Sequence, residues 1–442
     1  MLKISFYPLV IILSMSGCAE NAKLTGKTEI TKWKDGKTGA VSITYDDGIR
    51  TQFSEMLPIM ERLQLPATFF VITGPIKGSD DPGKFVGRPV KEIINETAHM
   101  PTNADNFFER ASAIRYSGFK GMQAYYDKAD EFYESGQKEN AYKVIDTGYE
   151  KVRSGKLAPG KDTSMEIASE TGLSWDDLKL YASRGYEIAS HTVTHAHLAI
   201  MDTANMLYEL QKSRQDILDH LGEKYTFSAE VPFGIEDPRV MKTALPVYPS
   251  LRNLMPEPYM KEINRGDKAQ PVTADKEYVQ WQRGPLSKTP LAKMQSWIDS
   301  TLAHNNIWLV LVFHGIDTLG WEPLPHELVD TYFQYIKKNE PNLWVATFGD
   351  VGRYMRERMD TKVTSNLSAD SIAVSLSRSL DKNIYHIPLT LKTYVPAEWG
   401  KVKIVQDGKI TGATVQKDEK GTYVLYSVYP DISSVVLKKD KS

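Results

Sequence analysis

The 442-residue sequence predicts an α/β protein: a distorted (β/α) barrel with a helical insertion, followed by a small C-terminal all-β sandwich. Three observations predict it. Short apolar runs alternate with helical apolar stripes over residues 38–360, which is the rhythm of parallel β/α units. That rhythm stops between about residues 75 and 162, where helical patterns stand alone. After residue 360 apolar and polar residues alternate between short turns, as in a sandwich of short strands.

The composition is that of an ordinary globular chain, 41% hydrophobic and 10% aromatic, with room for two or three domains. A formal net charge of −2 and the lack of a Lys/Arg run argue against a nucleic-acid partner.

At the N-terminus, Lys3 precedes the apolar residues 4–15, then Ser16, Gly17 and Cys18. The run is too short to span a bilayer and has the layout of a secretory signal. Small residues directly before a cysteine resemble the bacterial lipobox, with Met15 where Leu is commoner. On that reading residues 1–17 are a lipoprotein-type signal peptide and Cys18 carries a lipid; the alternative is ordinary cleavage beside an incidental cysteine. Cys18 is the single cysteine, so a body anchored through it has neither free thiol nor disulfide. Residues 18–37 read as a polar tether. The expectation is an exported protein, lipid-anchored to the membrane at the bacterial cell envelope, on the periplasmic side or the cell surface.

Within the body, residues 40–45 form a strand, residues 53–63 an amphipathic helix and residues 67–72 a second strand. The insertion, residues 75–162, holds two helical patterns, 107–133 and 138–152, joined at Ser135-Gly136-Gln137. It is either packing decoration or a structure overhanging the site. The alternation resumes with a helix at 175–183, a strand at 186–189 and a helix at 206–221. A strand over 226–231 and weaker ones at 247–251 and 278–282 follow, then a helix at 291–304 and the strongly apolar strand 308–313. A helix at 328–338, a strand at 344–348 and a helix at 351–359 close the domain. Residues 361–442 read as the sandwich, either a structural module or a carbohydrate-binding one.

The chemistry-bearing residues cluster at strand ends. Asp46 and Asp47 follow the first strand, and a tight turn at Gly48 sends the two carboxylates into one cavity in different directions. His191 and His195 follow the strand 186–189; a helical turn there would put both imidazoles on one face. Asp47, His191 and His195 make three protein ligands for a cation and leave positions open for water and substrate, the mark of a catalytic metal site. His314 ends the most apolar strand, placed to protonate a leaving group while Asp46 takes a proton from water.

The motifs TYDDG at 44–48, SHTVTH at 190–195 and LVFH at 311–314 resemble, in order, three signatures of the polysaccharide deacetylases, the NodB-homology domain or carbohydrate esterase family 4. The resemblance covers roughly residues 38–358 less the insertion. It implies a hydrolase removing acetyl groups from N- or O-acetylated sugars, with Asp46 as base, His314 as acid, and Asp47, His191 and His195 holding one divalent ion. Zinc leads, with cobalt, nickel or iron as other candidates.

One departure stands out. Where the family usually has Arg-x-Pro-x-Gly, this chain has Glu230-Val231-Pro232-Phe233-Gly234. A carboxylate cannot replace a guanidinium beside Asp46; it would repel it. Arg252 either supplies that cation from a neighbouring strand end or is an ordinary surface arginine. Pro232, Phe233, Gly234 and Trp321 are candidates for substrate binding or support, and Trp281 for stacking on a sugar ring. The leading expectation is a metal-dependent carbohydrate deacetylase. The alternatives are an amide hydrolase acting on a small or cyclic amide with the same metal site, and a catalytically silent carbohydrate-binding protein.

Overall fold

A computed structural model describes residues 24–80, 83–162, 172–255, 260–263, 276–431 and 434–440; the predicted signal and Cys18 lie outside them. Two compact units result, Lys37–Arg353 and Tyr354–Ser442, the latter together with the chain up to Gly36.

The first strand, β1 (Thr28–Ile30), belongs to the C-terminal unit. It pairs antiparallel with the strand Leu389–Tyr394, setting Glu29 opposite Lys392. This corrects the tether expected over residues 18–37. A three-residue strand shows no readable period, and its ladder comes from a partner more than 350 residues away. The unit's two sheets, of four and five strands, enclose a core that includes Ile372, Leu391, Ile404, Val424 and Leu437. Asp407 and Gly408, both at positive φ, make the two-residue turn of a hairpin between Lys401–Gln406 and Lys409–Thr414. The division between units falls at Tyr354, not after residue 360.

The Lys37–Arg353 unit is built on a parallel sheet that curls as a half-barrel, with helices around it. Its strands are β2 (Gly39–Tyr45), β3 (Thr68–Val71), β4 (Glu187–Ser190), β5 (Ser228–Ala229), β6 (Ser250–Leu251), β7 (Met260–Ile263), β8 (Tyr278–Arg283), β9 (Ile307–Phe313) and β10 (Leu343–Val345). The spatial order is β6-β5-β4-β3-β2-β9-β8-β7, with β10 also paired to β2. Both β2 and β9 are buried at every position, as continuous apolar runs in a parallel sheet require. β2 lies between β3 and β9, with Tyr45 opposite Phe69 on one side and Phe313 on the other. The residues after these strands therefore emerge at one rim. The expected strands at 226–231, 247–251 and 344–348 shrink to two or three residues, and a 3-10 turn at Glu223–Thr226 takes the start of the first.

The insertion is helical, as its pattern predicts, but the helix expected over 107–133 is two, Phe107–Ile114 and Met122–Glu134. Gly118 and Gly121 break it, both in the left-handed region that disfavours helix. Lys138–Arg153 completes the hairpin, and the sequence pattern missed a short helix at Val90–Glu96. Insertion residues Ile114, Tyr126 and Tyr149 share one core with Ala196, Leu198 and Ile200. Among the described residues no helix is long and apolar enough to cross a membrane.

Candidate metal centre and active site

The ladder of β2 runs one residue past its end. The Asp46 amide donates to the Phe313 carbonyl at 3.0 Å, fixing the backbone beneath its side chain. Asp47 (φ 75°) and Gly48 (φ 76°) then lie consecutively in the left-handed region. This double reversal sends the Asp47 carboxylate away from that of Asp46. A Cβ on Gly48 would come within 3.1 Å of Val71 Cγ1 besides being strained. Gln52 Nε2 donates to the carbonyls of Asp46 (2.6 Å) and His314 (2.9 Å), lacing two strand ends together.

His191 follows β4, its amide donating to the Val71 carbonyl. The chain does not turn helical beyond it, which corrects that expectation. Thr192 (φ 64°) and His195 (φ 53°) are both left-handed, an arrangement that costs energy in non-glycine residues. Glu209 holds this turn: its carboxylate accepts the Val193 and Thr194 amides at 2.9 Å each and the Thr194 hydroxyl at 2.6 Å. The two imidazoles converge all the same, because the tight turn brings His195 back toward His191.

Asp47 Oδ1 stands 3.6 Å from His191 Nε2 and 3.4 Å from His195 Nε2, with all three donors within 4.8 Å of one another. These are not ion pairs. Burial lowers the His191 pKa to about 4, and burial with the neighbouring His191 and His197 holds His195 well below its usual value, so both rings are neutral near pH 7. His191 Nδ1 lies 2.9 Å from the Glu230 carbonyl; this places the ring proton on Nδ1 and turns Nε2 inward as an electron-pair donor. One buried carboxylate and two neutral imidazoles form a donor set suited to a zinc-type ion.

Asp46 is the centre of a second cluster. Arg252 donates to its two oxygens through Nη1 and Nη2, each at 2.6 Å, in a bidentate fork. Arg252 is buried just past β6, its amide bonded to the Ala229 carbonyl, so it is not a surface arginine. Glu230 Oε1 lies 3.0 Å from the same guanidinium. One cation thus serves two carboxylates and relieves the repulsion expected from Glu230. Burial alone would raise the Asp46 pKa; the Arg252 charge and the His314 hydrogen bond outweigh it and hold the carboxyl well below its usual range. His314 Nε2 stands 3.3 Å from Asp46 Oδ2.

The two clusters share a cleft of about 220 Å³, whose rim carries Phe233 and Trp321, each 41% exposed. Trp321 meets His314 edge-on at 4.8 Å. Pro232 is buried under the turn that presents Phe233 (φ 64°), and Gly234 also lines the cleft. Trp281 does not reach it. That ring is 3% exposed in the barrel core, with Arg283 over its face, which excludes the sugar-stacking expectation.

Sequence reasoning passed over Gln52, Glu209 and His197. The His197 ring lies between Asp130 (2.8 Å) and Asp127 (3.3 Å) and stacks on Phe233 at 3.7 Å. Burial opposes its charge, but hydrogen bonds to Asp127 and Asp130 raise its pKa to about 9. Its position two residues past His195, in a histidine-rich stretch, was the available signal.

A strand-end carboxylate pair facing two histidines on a parallel half-barrel defines a class of hydrolase-like (β/α) domain, and the comparisons with known proteins narrow it. Residues 34–103 and 147–245 match the model of the polysaccharide deacetylase family. The gap between the matched segments falls inside the helical insertion. A curated relative, gellan lyase from a Bacillus species, is 25% identical over 288 residues, which are 59% of this chain. The chain spans about a tenth of that relative, 11% of its length. Among solved structures, a putative polysaccharide deacetylase from Mycobacterium smegmatis is 13% identical, covering 76% of this chain and 96% of its own, with a TM-score of 0.41. A family 4 carbohydrate esterase from Streptomyces lividans in complex with acetate is 11% identical, covering 70% and 93%, with a TM-score of 0.31.

Proposed function

We propose that the barrel domain is a metal-dependent hydrolase that removes acetyl groups from N- or O-acetylated sugars of a poly- or oligosaccharide. The observation that carries this reading is the adjacency of two clusters in one cleft. Asp46 lies between Arg252 and His314, beside the converging donors of Asp47, His191 and His195.

Asp47, His191 and His195 hold the cation, zinc first among the candidates. When bound, it supplies Lewis acidity that polarises an acetyl carbonyl and acidifies water. Asp46, kept ionised by Arg252, accepts the proton of the attacking water. His314 delivers a proton to the departing sugar nitrogen or oxygen. Phe233 and Trp321 flank the substrate at the rim. A second reading, hydrolysis of a small or cyclic amide, draws on Glu230, whose carboxylate lines the cleft where the family usually has an arginine. For cellular location, the Ser16-Gly17-Cys18 sequence supports export and a lipid anchor.

Acetate release by the protein from residue 24 onward tests the reading, using chitin oligosaccharides, peptidoglycan fragments and acetylated xylan, with added zinc or a chelator. Zinc-dependent acetate release that is lost in Asp46→Asn supports it. Turnover of small amides with no acetate from any sugar replaces it with the second reading.

A further inference from the structure

The helical insertion shares its core with the residues directly after His195. Ala196, Leu198 and Ile200 pack with Ile114, Tyr126 and Ile145, so the insertion forms one wall of the loop that carries the metal-site histidines. Polar contacts converge on the same loop. Arg115 donates to the Thr194 hydroxyl (2.9 Å) and carbonyl (3.1 Å). Tyr126 donates its hydroxyl to the His197 carbonyl at 2.8 Å, and the His197 ring is held between Asp127 and Asp130. The opposite face of that arrangement is Phe233, coplanar with His197 to within 5° and edge-on to His195 at 4.6 Å. The insertion therefore grips the loop on both sides of His195, at Thr194 and at His197.

The turn needs such a grip. Two non-glycine residues in the left-handed region, Thr192 and His195, persist only where the surroundings over-determine them. Glu209 secures the amides of Val193 and Thr194, and the Thr73 and Gly74 amides bond to the Thr192 and Val193 carbonyls. At His197 the insertion adds the Tyr126 hydrogen bond to the carbonyl and the Asp127 and Asp130 contacts to the ring.

We infer that the insertion is the positioning device of the metal centre: Asp127 and Asp130 through His197, and Arg115 through Thr194, fix the strained turn that aims His195 at the cation. This rests on the metal site proposed above. Residues that orient a ligand from behind it commonly change metal affinity about 10–100-fold when removed.

Zinc affinity of the protein from residue 24 onward, measured by chelator competition, tests the inference together with the d–d absorption of its cobalt-loaded form. The variants are the pair Asp127→Ala with Asp130→Ala, and separately Arg115→Met. Tyr149→Phe is the control; it deletes an insertion hydrogen bond to the Arg110 carbonyl (2.8 Å) away from the loop. The expected result is about 10- to 100-fold weaker zinc binding and an altered cobalt spectrum in the loop variants. Tyr149→Phe lowers the melting temperature and leaves both metal readouts at wild type. Loop variants with wild-type affinity and spectrum, or a control that matches their loss, overturn the positioning role while the metal site stands. A wild-type chain that takes up no zinc overturns the metal reading, and the positioning role with it.

Discussion

The two sides of the cleft are held by different means. On one side Asp46, Asp47 and His314 sit at the ends of β2 and β9, long strands buried at every position and paired to each other along their length. The placement of Asp46 and His314 follows from the backbone ladder, with Gln52 tying the strand ends, while Asp47 (φ 75°) is turned off it by its own left-handed step. On the other side β4 is only four residues long, and His195 stands on a turn with two strained residues. Main-chain bonds from the Thr73 and Gly74 amides reach the Thr192 and Val193 carbonyls, and side chains from Glu209, Arg115, Asp127 and Asp130 hold the loop with and beyond them. Where main-chain pairing runs out, precision passes to buried polar side chains, each of which is costly to lose.

Substitutions that remove a donor break the comparison most severely, because they act equally from either side. Asp47→Ala and His191→Ala are expected to abolish zinc binding and lower acetate release on the order of 10³-fold or more, read by metal analysis and turnover. Asp46→Asn separates the two functions: kcat falls about 10²–10⁴-fold while zinc stoichiometry stays at wild type. Arg252→Met tests how far Asp46, on the strand side, depends on the guanidinium that reaches it from β6. It leaves Asp46 and Glu230 buried together without the guanidinium between them, for a loss of about 3–5 kcal/mol in denaturant titration. Adding Glu230→Gln to that variant recovers part of the loss.

The smallest effect sharpens the comparison from the insertion. Glu96 bonds to Arg88 and to the buried Arg110, and these two hydrogen bonds lower its pKa from 4.5 to about 2. Because the folded value is depressed, the stabilisation is fully present above about pH 4.5 and is lost as pH falls toward 2. Melting curves of wild type and Glu96→Gln should converge over that window and differ by a few degrees above it.

The strand side was readable in the sequence because its cause is local. An apolar run such as Ile307–Phe313 announces a buried strand, and the polar residue that ends it must lie at the rim. The loop side was readable only in its residue types. His191 and His195 were visible as ligands, but the helical route proposed to bring them together is replaced by a strained turn. Its supports arise from Arg115 and Asp130, more than 60 residues upstream, and no periodicity reports such a contact. Arg252 was visible only as one of two readings, since no sequence pattern shows that β5 and β6 end side by side. The strand at Thr28–Ile30 was hidden for the same reason.

That adjacency of β5 and β6 bears on which substitutions the site tolerates. Ala229 pairs with Leu251, so Glu230 and Arg252 occupy equivalent steps on neighbouring strands, within reach of the same aspartate. The guanidinium can therefore be hosted by either strand, and exchanging the two residues would not move the charge far. Neither single step is easy. Glu230→Arg alone crowds two guanidinium groups around Asp46, and Arg252→Glu alone leaves three carboxylates together. Only the double exchange keeps one guanidinium among the carboxylates of Asp46 and its neighbour.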